Sequence, residues 1–370
     1  VNPRTIDLDP PLDPVAIGIR SGTVWAGEAV RLAGIGTAAR LAVERPDGAP
    51  AAQRALAGLA GSGSAEAPGR GAVGFGAFPF DRRAPGELVV PEVTVGRDAD
   101  GSGWLTALDG DTDGARARCE KILATPVGVR PHAPRVESMR SPADWRDAAV
   151  APAVGRIAAG ALRKVVLARE LRVTTTEPIA TPAVLAGLVE RFPSTTVFAV
   201  DGFIGASPEL LVGRSDTIVR AHPLAGTAAR RGDPAADAVV AADLLASTKD
   251  QWEHRITIDW LLDTLLPFCS YVDAEPEPTI VSLANVHHLG TRVEGVLSSP
   301  AASILELVAA LHPTPAVGGD PQATALELIG ELEGGDRGCY AGPVGWVDAG
   351  GNGAFAVGIR SAQIDGNGAR

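Results

Sequence analysis

The sequence predicts a chain that mixes strands with helices, its strands joined chiefly as hairpins, and three stretches carry that expectation. Residues 197–212 place Asp201-Gly202 between two apolar runs, a strong hairpin signal because both residues tolerate positive φ. Residues 342–347 and 354–361 flank a Gly/Asn loop and read as a second hairpin. From about Pro234 to Phe268 the pattern turns helical, with Leu244, Leu245, Ile256, Trp260, Leu261 and Leu265 supplying one apolar side.

The remaining elements follow from local chemistry. Up to about residue 130 the chain is rich in Gly, Ala, Pro and Asp, and short apolar runs such as 15–19 and 88–95 lie between turn residues, which predicts short strands rather than helices. Residues 58–76 are small, but no Lys-Ser/Thr follows and no helix is launched, so a tight strand approach is expected over a phosphate loop. A polar joint at 131–140 leads to Ser141-Pro-Ala-Asp144, where Ser at the N-cap, Pro at the first position and Asp at the third start a helix. That helix runs toward Gly160, with Pro152 as its point of bending, and delivers the chain to a strand in which Lys164, Val166 and Ala168 share one face.

Bulk properties exclude several classes. With a net charge of −11 and no basic run, the 370-residue chain lacks the clustered cations that nucleic acid requires. An anionic small molecule needs only a few local cations or a metal ion. Cys119, Cys269 and Cys339 form no CxxC pair, so neither a zinc site nor a disulfide framework is expected, and a reducing cytosol fits. No apolar stretch approaches the roughly 20 residues that span a bilayer, so no membrane partner is expected, and residues 1–10 lack the regions of a signal peptide. The valine start leads to the expectation of a sequence trimmed at one or both ends.

Five positions draw chemical interest. Lys164 is one of only three lysines, with Lys121 and Lys249, in a chain that writes nearly every cation as arginine. It is either a strand-edge lysine whose stem packs and whose head reaches water, or a base, a role arginine cannot fill because guanidinium stays protonated. Glu209 follows Ser207-Pro208 among apolar neighbours, either a surface interruption at a bulge or a desolvated acid with a raised pKa. Asp250 and Glu253, three apart, leave one helix face, where paired carboxylates are solvated unless the face looks into a cavity suited to Mg²⁺. Ala354, Ala356, Gly358 and Arg360 are expected on one side of a strand, leaving room beside an arginine that matches a carboxylate. Adjacent His287 and His288 point to opposite sides of a strand and make a poor metal pair, and no GxSxG, HExxH or Walker loop is present.

Taken jointly, these segments resemble the chorismate-utilising enzymes: isochorismate, anthranilate, aminodeoxychorismate and salicylate synthases. The pieces are Lys164-Val-Val-Leu-Ala-Arg169, Phe203-Ile-Gly-Ala-Ser-Pro-Glu-Leu-Leu211, His222-Pro-Leu-Ala-Gly-Thr227, Ser247-Thr-Lys-Asp-Gln-Trp-Glu-His254, Val286-His-His-Leu-Gly-Thr291, Leu311-His-Pro-Thr-Pro-Ala-Val-Gly-Gly319 and Arg337-Gly-Cys-Tyr-Ala-Gly342, with Phe78-Pro-Phe-Asp81 before them. The resemblance implies one α+β domain of two large, mostly antiparallel sheets flanked by helices, with the active site in the cleft between its halves. Residues 1–135 then form a β-rich N-terminal subdomain and 136–370 the chorismate-binding catalytic portion. Lys164 resembles the enzymes that add water, since ammonia-using anthranilate synthases typically carry glutamine there. Ala225 stands where aminodeoxychorismate synthases of the lysine-nucleophile type place lysine. His312-Pro-Thr-Pro315 resembles isochorismate synthases rather than salicylate synthases, which share Lys164 and Glu209.

The residue roles are what the resemblance implies. Water attacks C2 of chorismate as the 4-hydroxyl leaves, with Lys164 as general base and Glu209 as general acid. One Mg²⁺ orients the ring carboxylate, with Glu253 as ligand and Asp250 in support. Gly226 and Thr227 present donors near that carboxylate, His288 lies near the ring and Ala316 near the substrate, and Tyr340 with Arg360 holds the enolpyruvyl carboxylate. A monomer without a glutaminase subunit is expected. The family also carries, past the Arg360 strand, a further strand and helix with a second glutamate ligand and a lysine, whereas this sequence stops at Arg370. Salicylate synthase, which goes on to eliminate pyruvate, is the alternative activity, and a catalytically weakened chorismate-binding protein is a third reading tied to that end. Menaquinone and siderophore biosynthesis both remain open as uses of the product.

Overall fold

The computed structural model describes residues 2–44, 47–60, 67–130 and 133–370. Asp201 and Gly202 take φ of 47° and 77°, closing strand Thr196–Val200 onto Phe203–Ser207 as the sequence predicts. The second hairpin joins Pro343–Asp348 to Gly353–Val357. Among the described residues all strand pairs are antiparallel, in sheets of eleven, nine, three and two strands. Strands from before and after residue 135 are neighbours in both large sheets: Val24–Ala26 beside Thr196–Val200, and Val73–Ala77 beside Pro343–Asp348. The α+β expectation of two large antiparallel sheets flanked by helices is borne out.

The two large sheets pack face to face. Trp25, Leu32, Trp104, Phe198 and Val200 from the eleven-stranded sheet meet Val73, Phe75, Val344 and Trp346 from the nine-stranded one, and the alternation 73/75, 198/200 and 344/346 places every second side chain in this layer. The outer face of the eleven-stranded sheet is closed by Ile17, Ala115, Cys119 and Leu185 on three helices. The outer face of the nine-stranded sheet is closed by Leu56, Leu261, Leu265, Leu305 and Val308. No helix among the described residues is long and apolar enough to cross a membrane.

Several expectations need correction. Residues 15–19 are not a strand but lie within helix Pro14–Ser21, because Asp13 caps it and Pro14 occupies its first turn. Helices Ala49–Leu59 and Thr112–Leu123 likewise lie in the region read as strands. The run 88–95 is two strands parted at Pro91, Gly86–Val90 and Val93–Asp98. Part of the small-residue segment, residues 61–66, and residues 131–132 of the polar joint lie outside the described residues. The joint further on contains an edge strand, Arg135–Ser138. The helical stretch is two helices, Pro234–Ala246 and Thr248–Leu265, broken at Ser247, so the apolar phase does not carry across and Leu245 turns outward at 37% exposure.

The helix start at Ser141 is as expected, its hydroxyl accepting from the Asp144 N–H at 3.1 Å, and a π-helical stretch, Arg146–Val150, precedes Pro152 where its missing N–H disturbs the ladder. Phe355 is fully buried and stacks on Phe78 with ring centroids 5.6 Å apart. Urea unfolding of Phe355→Ala should show a loss of about 3–5 kcal/mol from the cavity, against about 1 kcal/mol for the cap variant Ser141→Ala.

Candidate active site

Two turns of chain build the site. Strand Phe203–Ser207 belongs to the eleven-stranded sheet and Leu210–Ser215 to the nine-stranded one, so Pro208-Glu209 is where the chain steps between them. Gly353–Val357 and Ser361–Asp365 make the reverse step through residues 358–360. Arg360 therefore does not continue the Ala354/Ala356 strand face as expected: the strand ends at Val357 and Arg360 sits at the step with φ +50°. A side chain held in that left-handed region costs conformational energy, which the surrounding hydrogen bonds must overdetermine. The two steps lie side by side, Val357 N–H donating to the Glu209 carbonyl at 3.1 Å and Ala206 N–H to the Arg360 carbonyl at 3.2 Å.

Glu209 is 3% exposed. Burial pushes its carboxyl up to about 7, while the Leu224 backbone N–H and the charges of Lys164 and Arg360 pull the other way. Of the two sequence readings, the desolvated acid is the one the fold realises.

Lys164 lies on a two-stranded ribbon, Lys164–Val165 paired with Gly319–Asp320, shorter than the strand the sequence predicts. Gly319 has φ +153°, and a Cβ there would press into the Lys164 carbonyl oxygen and lie 2.6 Å from Ala325 Cβ. Lys164 is 7% exposed; its Nζ makes no hydrogen bond and has Glu253 Oε1 at 3.0 Å as its ionic partner. The lysine is thus buried toward Glu253, not a strand-edge residue reaching water.

Thr227 and His288 face each other across strands Leu224–Ala229 and Val286–Gly290. Arg360 Nη2 lies 2.6 Å from His288 Nε2, and His288 Nδ1 lies 2.8 Å from Thr227 Oγ1. Guanidinium can only donate, so His288 Nε2 accepts and Nδ1 carries the proton toward Thr227. Burial, with Arg360 next, pulls His288 down to about 4, which keeps the ring neutral. His287 points the other way, to Ser282 at 2.9 Å, as the strand alternation requires. Arg360 Nη1 is buried without a hydrogen-bond partner among the described residues. A buried donor of that kind matches an anionic acceptor.

Gly226, at φ +83°, brings this strand against the first turn of helix Thr248–Leu265: a Cβ there would lie 3.2 Å from Asp250 Cβ. Asp250 Oδ2 accepts from the Ser247 hydroxyl at 2.5 Å. Asp250 and Glu253 side chains are 21% and 29% exposed, with Lys249 Nζ 3.9 and 3.7 Å from them. Among the described residues no group of three His, Cys, Asp or Glu side chains gathers as a metal cage. Two hard-oxygen donors one turn apart and open to solvent still fit Mg²⁺, which keeps several waters and takes one or two carboxylates.

Tyr340 is 39% exposed, close enough to Arg360 to act on its charge. Ala316 is half-buried in the turn before Gly319, where no polar contact joins it to the others. Sequence reasoning gave no role to three residues around this site, although two of them lie in the quoted motifs. His254, 3% exposed, pairs through Nε2 with Thr291 Oγ1 at 2.8 Å, and burial pulls it down to about 4. Its signal was its position next to Glu253. Glu333 and Arg337 form a buried pair beneath Lys164, spaced like an ordinary exposed helix pair.

Two measurements probe this geometry. In a ¹⁵N–¹H correlation of the histidine rings, His288 should appear as the neutral tautomer with Nδ1 protonated down to about pH 5, and an Nε2–H form would contradict the Arg360 contact. Because the Glu209 carboxyl is raised from 4.5 to about 7, its proton favours the folded state fully below about pH 4.5, and that advantage is lost as pH rises through about 7. Relative to Glu209→Gln, which mimics the protonated acid, the wild type should lose about 2–3 kcal/mol of stability between pH 5 and 8 in urea unfolding.

Comparison with known proteins gives the family. Residues 23–370 match the family described as chorismate binding enzyme. The isochorismate synthase DhbC of Bacillus subtilis is 36% identical over 301 residues, covering 78% of this chain and 71% of that protein. The putative isochorismate synthase MenF of Mycobacterium tuberculosis is 37% identical over 303 residues, covering 78% and 75%. The crystal structure of the putative 2,3-dihydroxybenzoate-specific isochorismate synthase DhbC from Bacillus anthracis superposes with a TM-score of 0.80 at 29% identity, covering 95% of this chain and 88% of that one. Fold, sequence match and relatives agree, and the chain belongs to the chorismate-binding enzyme family.

Proposed function

We propose that the protein is an isochorismate synthase, adding water at C2 of chorismate with loss of the 4-hydroxyl. The observation that carries this reading is the burial, in one site, of a lysine amine and a carboxyl pushed up to about 7. Such a carboxyl holds its proton near neutrality and gives it to the departing hydroxyl, while Lys164 takes one from the attacking water. In the reverse direction the two exchange roles. Arg360, with its unpartnered Nη1 and with Tyr340 beside it, binds the enolpyruvyl carboxylate. Gly226 and Thr227 supply donors to the ring carboxylate. His288, with its proton directed at Thr227 Oγ1, leaves the threonine hydroxyl hydrogen free to donate to that ligand. Ala316 borders the substrate from the ribbon side.

Glu253 and Asp250 would hold Mg²⁺, which supplies positive charge for the ring carboxylate when bound. A water-using reaction needs no ammonia, so no glutaminase partner is required, and a monomer in the cytoplasm suffices.

The test is incubation of the purified protein with chorismate and a Mg²⁺ titration, with products separated by chromatography. Isochorismate should form with Mg²⁺ and fall at least 100-fold in Lys164→Ala, the scale on which a positioned base contributes. Salicylate with pyruvate would move the protein to the lyase branch, and unchanged chorismate would defeat the proposal.

A further inference from the structure

The ribbon that carries Lys164 belongs to neither large sheet. Its strands are two residues long, too short for their own ladder to hold a side chain in place. Its lateral ion pair, Arg163 with Asp320, has the arginine 63% exposed and is a weak restraint.

The stronger restraint comes from beneath. Arg337 donates through Nη2 to the Val166 carbonyl at 2.7 Å and through Nη1 to the Val317 carbonyl at 2.9 Å, one contact just past the end of the first strand and one just before the second. Glu333 Oε1 accepts from the Ala168 N–H at 2.7 Å, and its Oε2 accepts from Arg337 Nε at 2.9 Å. The guanidinium lies 4.1 Å from the centroid of the Phe80 ring. The two side chains are 5% and 6% exposed. A buried ion pair is a poor source of net stability, because desolvation consumes most of what the charges gain. What a planar, five-donor fork provides is direction, and here its directions fix both arms at once.

We propose that Arg337 and Glu333 are positioning residues for Lys164, clamping the ribbon so that the lysine amine stays at the reacting centre. The kinetic part of this inference rests on the assignment of Lys164 as base; the structural part does not.

The test compares wild type, Arg337→Lys and Glu333→Gln by hydrogen–deuterium exchange, thermal unfolding and steady-state kinetics with chorismate and Mg²⁺. In Arg337→Lys, which keeps the charge and loses the fork, amides in 163–168 and 317–320 should exchange at least tenfold faster while those of the large sheets are unchanged. There kcat should fall about 100-fold, the scale of a small misplacement, with KM within about threefold. Glu333→Gln keeps an acceptor for Ala168 and for the fork, so its loss in kcat should stay within about tenfold. Ribbon exchange equal to wild type in a folded variant overturns the clamp. A loosened ribbon with kcat within about threefold of wild type overturns the positioning role. Should Arg337→Lys fail to fold, the same readings on Glu333→Ala, which removes both acceptors, decide: local loosening with a loss confined to kcat supports the clamp, and none overturns it. An inactive wild type would sink the proposed function, and the exchange data would still decide the clamp.

Discussion

The site exists because the chain changes sheets twice at one place. Glu209 marks the step from the eleven-stranded sheet to the nine-stranded one and Arg360 the step back, and backbone hydrogen bonds tie the two steps together. A residue within a strand points along the pleat into a packed layer or out toward helices. A residue at such a step does neither, and its side chain enters the seam where the layers part. The wide apolar interface between the sheets makes that seam dry, so whatever charge enters it meets a low dielectric. Moving either step by one residue would take the ionisable group out of the seam and bring in Pro208 or Leu210 at one step, Ile359 or Ser361 at the other.

The charge pattern follows from this dryness. Burial neutralises the acid, since the Glu209 carboxyl titrates near 7, and it neutralises His288 and His254. The guanidinium of Arg360 remains cationic, with the carboxylates of Asp250 and Glu253 toward solvent. A protein of net charge −11 thus keeps a small cationic interior behind an acidic rim.

Much of this was legible in the sequence wherever the signal was local. Asp201-Gly202 needs positive φ at both residues and obtained it, and Ser141-Pro-Ala-Asp144 caps a helix by chemistry complete within four residues. Residues 15–19 were misread because their apolar, branched side chains suit a strand, whereas the decisive signal lay just before them in Asp13-Pro14. Arg360 was placed on a strand face because alternation says nothing about where a strand ends. The seven motifs contain the residues gathered here, and the fold brings Lys164 to Glu253 and both Thr227 and Arg360 to His288. The pairing of Glu333 with Arg337 stayed hidden although Arg337 opens one of the motifs, since only the depth at which the two lie separates them from a solvated pair.

The nine-stranded sheet carries a consequence for the biogenesis of the protein. Val73–Ala77 lies against Pro343–Asp348, so the middle of that sheet is closed by two segments separated by most of the chain. A ribosome must complete the later strand before the earlier one has its neighbour, and until then the hairpin of Val73–Ala77 with Gly86–Val90 presents a bare apolar edge. Contacts at such separation also slow the search for the native pairing. The nascent chain therefore depends on being shielded from its neighbours during synthesis, a demand set by topology and not by the chemistry the finished protein performs.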